Sequence, residues 1–276
     1  MPKGMKERIA FQQRKNQSSS QTTPVGQCSP FHLPRALGSL EDRVAFAKYK
    51  AVGDDTFVVD PIRRFDADAY PDHFQPFDIE VSWGNWIYVA CPDATTKCSK
   101  CQRFPYHQGC VILSIDGKCE APSQTPDKPR ASMAVFFGHE NIYNLAVEIE
   151  EERHTVQVAE LKACIAALVK AIDLFQDEKK GRCEMDQTWP LHTLVIKSHS
   201  NYIVQGISEW LPKWKANGFK NCKGKPVAND SLWRLVDLWI RHLEVNAQVL
   251  FWLVPREKNI IAESMSAWVL TQPVSR

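Results

Sequence analysis

The sequence predicts an α/β fold on two observations. From Val111 to Val269, short β-rich apolar runs and stripes of apolar residues at helical spacing follow one another as three strands, a helix, a strand, helices, a strand and a helix, with Pro or Gly in the turns. The chain of 276 residues with 44% hydrophobic content is also long enough to bury a sizeable core, and it reads as one main domain with attachments.

The segment 1–38 holds one acid, Glu7, against six Lys or Arg and carries the polar run Gln17 to Thr23. It reads as a disordered basic tail, with a mitochondrial presequence as the alternative for so basic a start. No apolar stretch reaches about 18 residues and no signal-peptide core follows Met1, so no membrane span is expected and the chain is placed inside the cell, in nucleus or cytoplasm. Residues 39–90 are mixed, with a short helix near Leu40 to Lys48 and strand-like pieces at Thr56 to Val59 and Trp86 to Ala90. They are expected to pack on the main domain.

Five of the nine cysteines fall between Cys91 and Cys119, which suits metal or reduced thiols better than a secreted disulfide framework. Residues 91–110 contain Cys91, Cys98, Cys101, His107 and Cys110. A Cys-x2-Cys pair presents two thiolates to one ion, so Cys98, Cys101 and Cys110, with either Cys91 or His107, form a candidate tetrahedral zinc knuckle. Reduced cysteines in a loop are the plainer reading.

The main domain, 111–270, then runs in order. Val111 to Ile115, Ala131 to Phe137 and Asn144 to Glu150 are the first three strands. Thr155 stands where a helix cap would, ahead of Val158, Leu161, Ile165, Leu168 and Ile172 at steps of three and four. Leu191 to Ile196 is a buried strand, broken at Ser198-His199-Ser200 before a helix from Tyr202 to Trp210. Between Trp210 and Asp230 stand five lysines, Lys213, Lys215, Lys220, Lys223 and Lys225, with no acid, interleaved with Trp214 and Phe219. Net charge is only +2, so any nucleic-acid affinity has to come from such a cluster, where ammonium groups release counterions and rings offer stacking faces. Trp210 continues the helix stripe and reads as core. A helix from Asp230 to Leu243, a strand at Val249 to Val254, a helix from Asn259 to Val269 and the tail 271–276 complete the chain.

Acids stand where strands end or helices begin: Asp116, Glu160 and Glu263. Carboxylates gathered from different elements suit two hard divalent ions about 4 Å apart, which activate water and stabilise a leaving oxygen. Scattered acids alone are equally read as capping or solvated groups.

Taken together, these residues resemble the type 1 ribonuclease H family. Ile115-Asp116-Gly117-Lys118-Cys119 is similar to its opening strand end, and Gln157-Val158-Ala159-Glu160-Leu161 to its first helix start. Ser200-Asn201-Tyr202-Ile203-Val204-Gln205-Gly206-Ile207 is similar to its Ser-x-Tyr-Val helix. The lysine-rich excursion resembles the basic protrusion of cellular members. Asn259-Ile260-Ile261-Ala262-Glu263-Ser264-Met265-Ser266 is similar to the closing helix. The resemblance implies a ribonuclease H-like domain with a five-stranded mixed sheet and flanking helices, an RNA/DNA hybrid as partner, and magnesium or manganese held by Asp116, Glu160 and Glu263. It further implies that Gln157, Lys213, Trp214, Lys215, Phe219, Lys220, Lys223 and Lys225 contact the nucleic acid.

The departures fall on the chemistry. His199 stands at the family's third aspartate and Glu263 at its fourth, so the catalytic set Asp116, Glu160, His199 and Glu263 holds one charge fewer. The loop before the last helix is cut to Pro255-Arg256-Glu257-Lys258. A pair of unit charges at 4 Å is worth about 4 kcal/mol at an effective dielectric of about 20, so losing one carboxylate costs several powers of ten in magnesium occupancy. The expectation is therefore hybrid binding with weakened or lost hydrolysis of the RNA strand. The alternatives are an active hybrid endoribonuclease with altered metal preference, since imidazole suits manganese or zinc better than magnesium, and an inactive scaffold that binds a protein through the knuckle and the N-terminal segment.

Overall fold

The apolar run Val111 to Ile115 sits in the middle of one long strand, and both faces of that strand are covered. The computed structural model describes residues 63–120, 129–150, 155–181 and 190–273. The elements are β1 (Glu80–Trp83), β2 (Trp86–Ala90), β3 (Tyr106–Cys119), β4 (Ala131–Phe136), β5 (Leu145–Glu148), α1 (Val156–Lys179), β6 (Thr193–Ser198), α2 (Asn201–Gln205), α3 (Leu211–Ala216), α4 (Asp230–Leu243), β7 (Gln248–Leu253) and α5 (Ile260–Thr271). The basic tail, the helix near Leu40 and the strand near Thr56 lie outside the described residues.

β3 organises the sheet. It pairs antiparallel with β4 through Ser114 to Cys119 and parallel with β6 through Cys110 to Ser114, while β4 carries β5 antiparallel and β6 carries β7 parallel. These are the five expected strands, in the spatial order β5–β4–β3–β6–β7. The hairpin β1–β2 adds two more to make seven, because β2 pairs antiparallel with the N-terminal part of β3. Asn141 fixes the hairpin turn by donating to the Asn85 carbonyl at 2.7 Å.

Alternation along β3 splits the core in two. Val111, Leu113 and Ile115 join Leu161, Leu168, Ile203, Trp233 and Ile240 from the helices. Ile112 faces the other way, with Val195, Leu250 and Trp252, onto Phe65, Tyr70, Phe74, Ile79 and Phe104 of the N-terminal segment, and Met265 of α5 packs at its border. Arg63, 1% exposed, grips Glu244 through two hydrogen bonds of 2.9 and 2.8 Å. Phe65 donates to the Phe251 carbonyl at 2.8 Å and Phe251 donates to Arg63 at 2.7 Å, so this segment runs along the outer edge of β7.

The Thr155 hydroxyl accepts from Val158 N–H at 3.2 Å and starts α1 as the sequence predicts. The helix expected from Tyr202 to Trp210 extends to Ala216 through a wider π turn, Gly206–Trp210. Pro212 follows this turn, and having no N–H it cannot continue an ordinary helical ladder. Gly206 is required here, since a Cβ would lie 2.2 Å from the Trp233 ring.

Candidate nucleic-acid interface and acid cluster

Gly117 sets the site's geometry. A Cβ at this position would stand 2.2 Å from the backbone of Ala159 and 2.3 Å from Glu160 N, so only glycine lets α1 approach β3 this closely. That approach places Glu160 beside Asp116, in a shallow recess lined also by Ile115, Ala163, Ser198 and Ser200. Burial pushes the carboxyls of both Asp116 and Glu160 above their usual range. For Asp116, the Ser266 hydroxyl and His199 oppose the rise while Glu263 adds to it; for Glu160, a hydrogen bond with Ser200 opposes it. Ser266 on α5 donates to Asp116 Oδ2.

His199 follows the end of β6. Its Nδ1 is 3.5 Å from Asp116 Oδ1 and 3.1 Å from Asn259 Nδ2. Asn259 Nδ2 also donates to the Ile115 carbonyl at 2.9 Å, which fixes the amide, because turning it over would set two oxygens face to face. In its neutral form His199 therefore accepts at Nδ1 and carries its proton on Nε2; protonated, it faces the Asp116 carboxylate with a donor. Glu263 completes the cluster from α5, but Arg256 Nη1 donates to its Oε1 at 2.6 Å.

The four expected residues thus converge, yet they do not fit a pair of divalent ions as they stand. Nδ1 of His199 is turned to the Asn259 amide, and Glu263 is shared with a guanidinium. Among the described residues no group of three or more His, Cys, Asp or Glu side chains is arranged to hold a metal.

The expected zinc set is likewise not gathered. His107 and Cys110 lie within β3, both buried, whereas Cys98 and Cys101 sit in the loop outside it. Cys110 is pushed up to about 12 by burial and lies 3.9 Å from His192, against the sheet. Strand pairing, which turns alternate side chains of β3 into the core, separates these ligands.

Beyond α3 the lysine-rich excursion is a built structure. Asn217 accepts from Lys220 N at 3.1 Å, and Asn221 accepts from Lys223 N and Lys225 N at 2.9 and 3.2 Å. Lys213, Lys220, Lys223 and Lys225 are exposed, as is Gln157 at the start of α1. Lys215 lies 3.1 Å from Asp237 and is half-buried. Phe219 corrects the sequence reading: it is buried, and the Arg234 guanidinium lies 4.0 Å over its ring, so it supports the turn and offers no stacking face. Trp214 is half-buried between Trp210 at 5.7 Å and Trp233 at 5.3 Å, and Trp210 is itself half-buried. Sequence reasoning did not single out Asn259, Ser266, Ser200 or Arg256 as site residues, although Asn259 and Ser266 bracket the closing motif.

A mixed sheet ordered β5–β4–β3–β6–β7, with acids from β3, α1 and α5 meeting at one end, is the ribonuclease H-like arrangement. The RNase H family model matches residues 109–250, just over half of the chain, and the chain belongs to the ribonuclease H family. A ribonuclease H of Schizosaccharomyces pombe is 36% identical over 109 residues, covering 39% of this chain and 34% of that protein. One from a Cyanothece species is 30% identical over 125 residues, covering 45% and 67%. Human ribonuclease H1 is 29% identical over 126 residues, covering 46% and 38%. The match thus spans about a third of the yeast and human proteins. Among solved structures, a foamy viral protease-reverse transcriptase in complex with an RNA/DNA hybrid superposes with a TM-score of 0.42 at 18% identity, over 58% of this chain and 20% of that one. LC11-RNase H1 from compost gives 0.40 at 18% identity, over 59% and 97%.

Proposed function

We propose that this chain binds an RNA/DNA hybrid through its lysine-rich protrusion and that magnesium-dependent cleavage of the RNA strand is weakened or lost. The observation that carries this reading is His199 at the third acid position with Nδ1 turned to Asn259. The imidazole brings no negative charge in either protonation state, so the cluster lacks one of the anionic ligands that hold hard divalent ions. The binding half rests on the four exposed lysines Lys213, Lys220, Lys223 and Lys225 of the protrusion, a stretch without a single acid. Membership of the ribonuclease H family supports that choice of duplex.

Fluorescence anisotropy against hybrid, double-stranded RNA and duplex DNA at rising salt tests the binding half. Four phosphate contacts give a slope of log affinity against log salt of about −3 to −4. Absence of binding at low salt overturns it and favours the scaffold alternative. RNA-strand cleavage assayed in magnesium and in manganese tests the other half; ordinary family rates in magnesium overturn it, and activity confined to manganese identifies an altered metal preference.

A further inference from the structure

The N-terminal segment carries an aromatic side chain that packing does not explain. Phe77 is 60% exposed at the tip of the turn Gln75-Pro76-Phe77-Asp78. The turn is closed twice: Asp78 N donates to the Gln75 carbonyl at 2.8 Å, and the Asp78 carboxylate accepts from Gln75 N at 3.1 Å. Pro76 presets the backbone at its second position. A large apolar ring is therefore held out in solvent by a rigid device.

Two ammonium groups lie over this ring, Lys97 Nζ at 5.6 Å and Lys258 Nζ at 5.7 Å from its centroid. Lys97 is anchored on Asp78 at 2.6 Å. Lys258 comes from the far end of the chain and immediately precedes Asn259, the residue that engages His199. A second tie leads to the same place. Glu80, three residues after Phe77, holds Lys197 Nζ at 2.7 and 2.6 Å, and Lys197 precedes His199 by two residues. Phe77 and its lysines thus stand at the His199 side of the acid cluster, where the loop before α5 is shortened to Pro255-Arg256-Glu257-Lys258.

We propose that Phe77, Lys97 and Lys258 form a platform for a single-stranded nucleic acid, namely an unpaired strand running off the end of a bound hybrid. A base stacks on the ring and the ammonium groups meet the flanking phosphates, the chemistry by which single strands are held without sequence preference. The proposal rests on hybrid binding by the main domain and adds a contact beyond the duplex.

The test compares a blunt hybrid with the same hybrid carrying a short single-stranded extension, of RNA or of DNA, at either end, by anisotropy with the full chain. Stacking of one base predicts that one extended hybrid binds at least about fivefold more tightly than the blunt one. Phe77→Ala abolishes that difference and leaves blunt-hybrid affinity and the melting temperature unchanged, whereas Phe77→Trp keeps it. Lys258→Gln reduces the difference without touching the ring, and so reads the platform independently of the Phe77 variants. Equal binding of blunt and extended hybrids by the unaltered protein overturns the platform while sparing hybrid binding, and leaves Phe77 to a protein partner. Failure to bind the blunt hybrid overturns the reading of the main domain, and the platform falls with it.

Discussion

Replacing His199 by aspartate restores a carboxylate to the end of β6, and the structure sets what that charge must do. Nδ1 of His199 is already 3.5 Å from Asp116 Oδ1, so the new carboxylate arrives as a close neighbour of a buried acid. Two unit charges about 4 Å apart interact by about 4 kcal/mol at an effective dielectric of about 20. Without metal this is repulsion, and it is added at a place where burial has already pushed Asp116 up. With a divalent ion the same charge becomes attraction, and about 4 kcal/mol corresponds to about three decades of metal affinity. His199→Asp is therefore expected to melt below the unaltered protein in chelator and to gain from magnesium. At a hundredfold excess over Kd the gain is about 2.7 kcal/mol, which for a domain of this size is about 5–10 °C. Thermal melts with and without magnesium read this directly, beside RNA-strand cleavage of a hybrid. An unaltered protein that responds to magnesium as strongly as the variant would refute the claim that His199 empties the site. A variant with neither response would move the fault to the Arg256–Glu263 pair.

Other expectations follow from single contacts. Gly117→Ala must push α1 off β3, at about 1–3 kcal/mol, and should lower the melting temperature; an unchanged melt means the strand and helix have room the geometry denies. Asp116→Asn removes a buried charge whose folded-state pKa is raised. The stability contributed by that group is complete below the ordinary carboxylate range and is lost as pH rises through its raised value. The variant should therefore gain on the unaltered protein from acid to neutral pH, and a gap that stays constant across melts in that range would contradict it. Cys98 is only half-buried and its thiol is held low, first by the backbone N–H of Cys101 and then by that of Lys100, whereas Cys110 is buried and burial lifts it to about 12. Timed alkylation read by mass spectrometry should label Cys98 well before Cys110.

Much of the fold was legible because each main-domain element repeats its own period locally. The α1 stripe and the Thr155 cap announce a helix, and the Leu191 run announces a strand. The Trp86 to Ala90 strand was visible too, but its place was not, since its partners on β3 lie from Tyr106 to Val111 and nothing in either run names the other. The same distance effect hid the end of the knuckle: β3 reaches back to Tyr106 only because β2 supplies its hydrogen bonds. In the site, Asp116, Glu160, His199 and Glu263 could be picked out only because the motifs that carry them resemble, in order, those of the ribonuclease H family. What could not be picked out is their engagement. The Arg256–Glu263 pair and the double use of the Asn259 amide depend on how α5 meets the ends of β3 and β6. Phe219 misled for a similar reason, because its neighbour Arg234 is one turn into a different helix.

The short pairing of Arg63 to Phe65 with Phe251 has a meaning for the protein's life in solution. β7 carries Val249, Leu250, Phe251 and Trp252 in sequence, with hydrogen-bonding groups on its outer side that would otherwise be a template for another chain. The N-terminal segment caps that template, and the Arg63–Glu244 clasp keeps the cap closed. Proteolytic nicking just beyond residue 65 is expected to leave the acid cluster and the protrusion in place while opening the β7 edge to pairing with another chain.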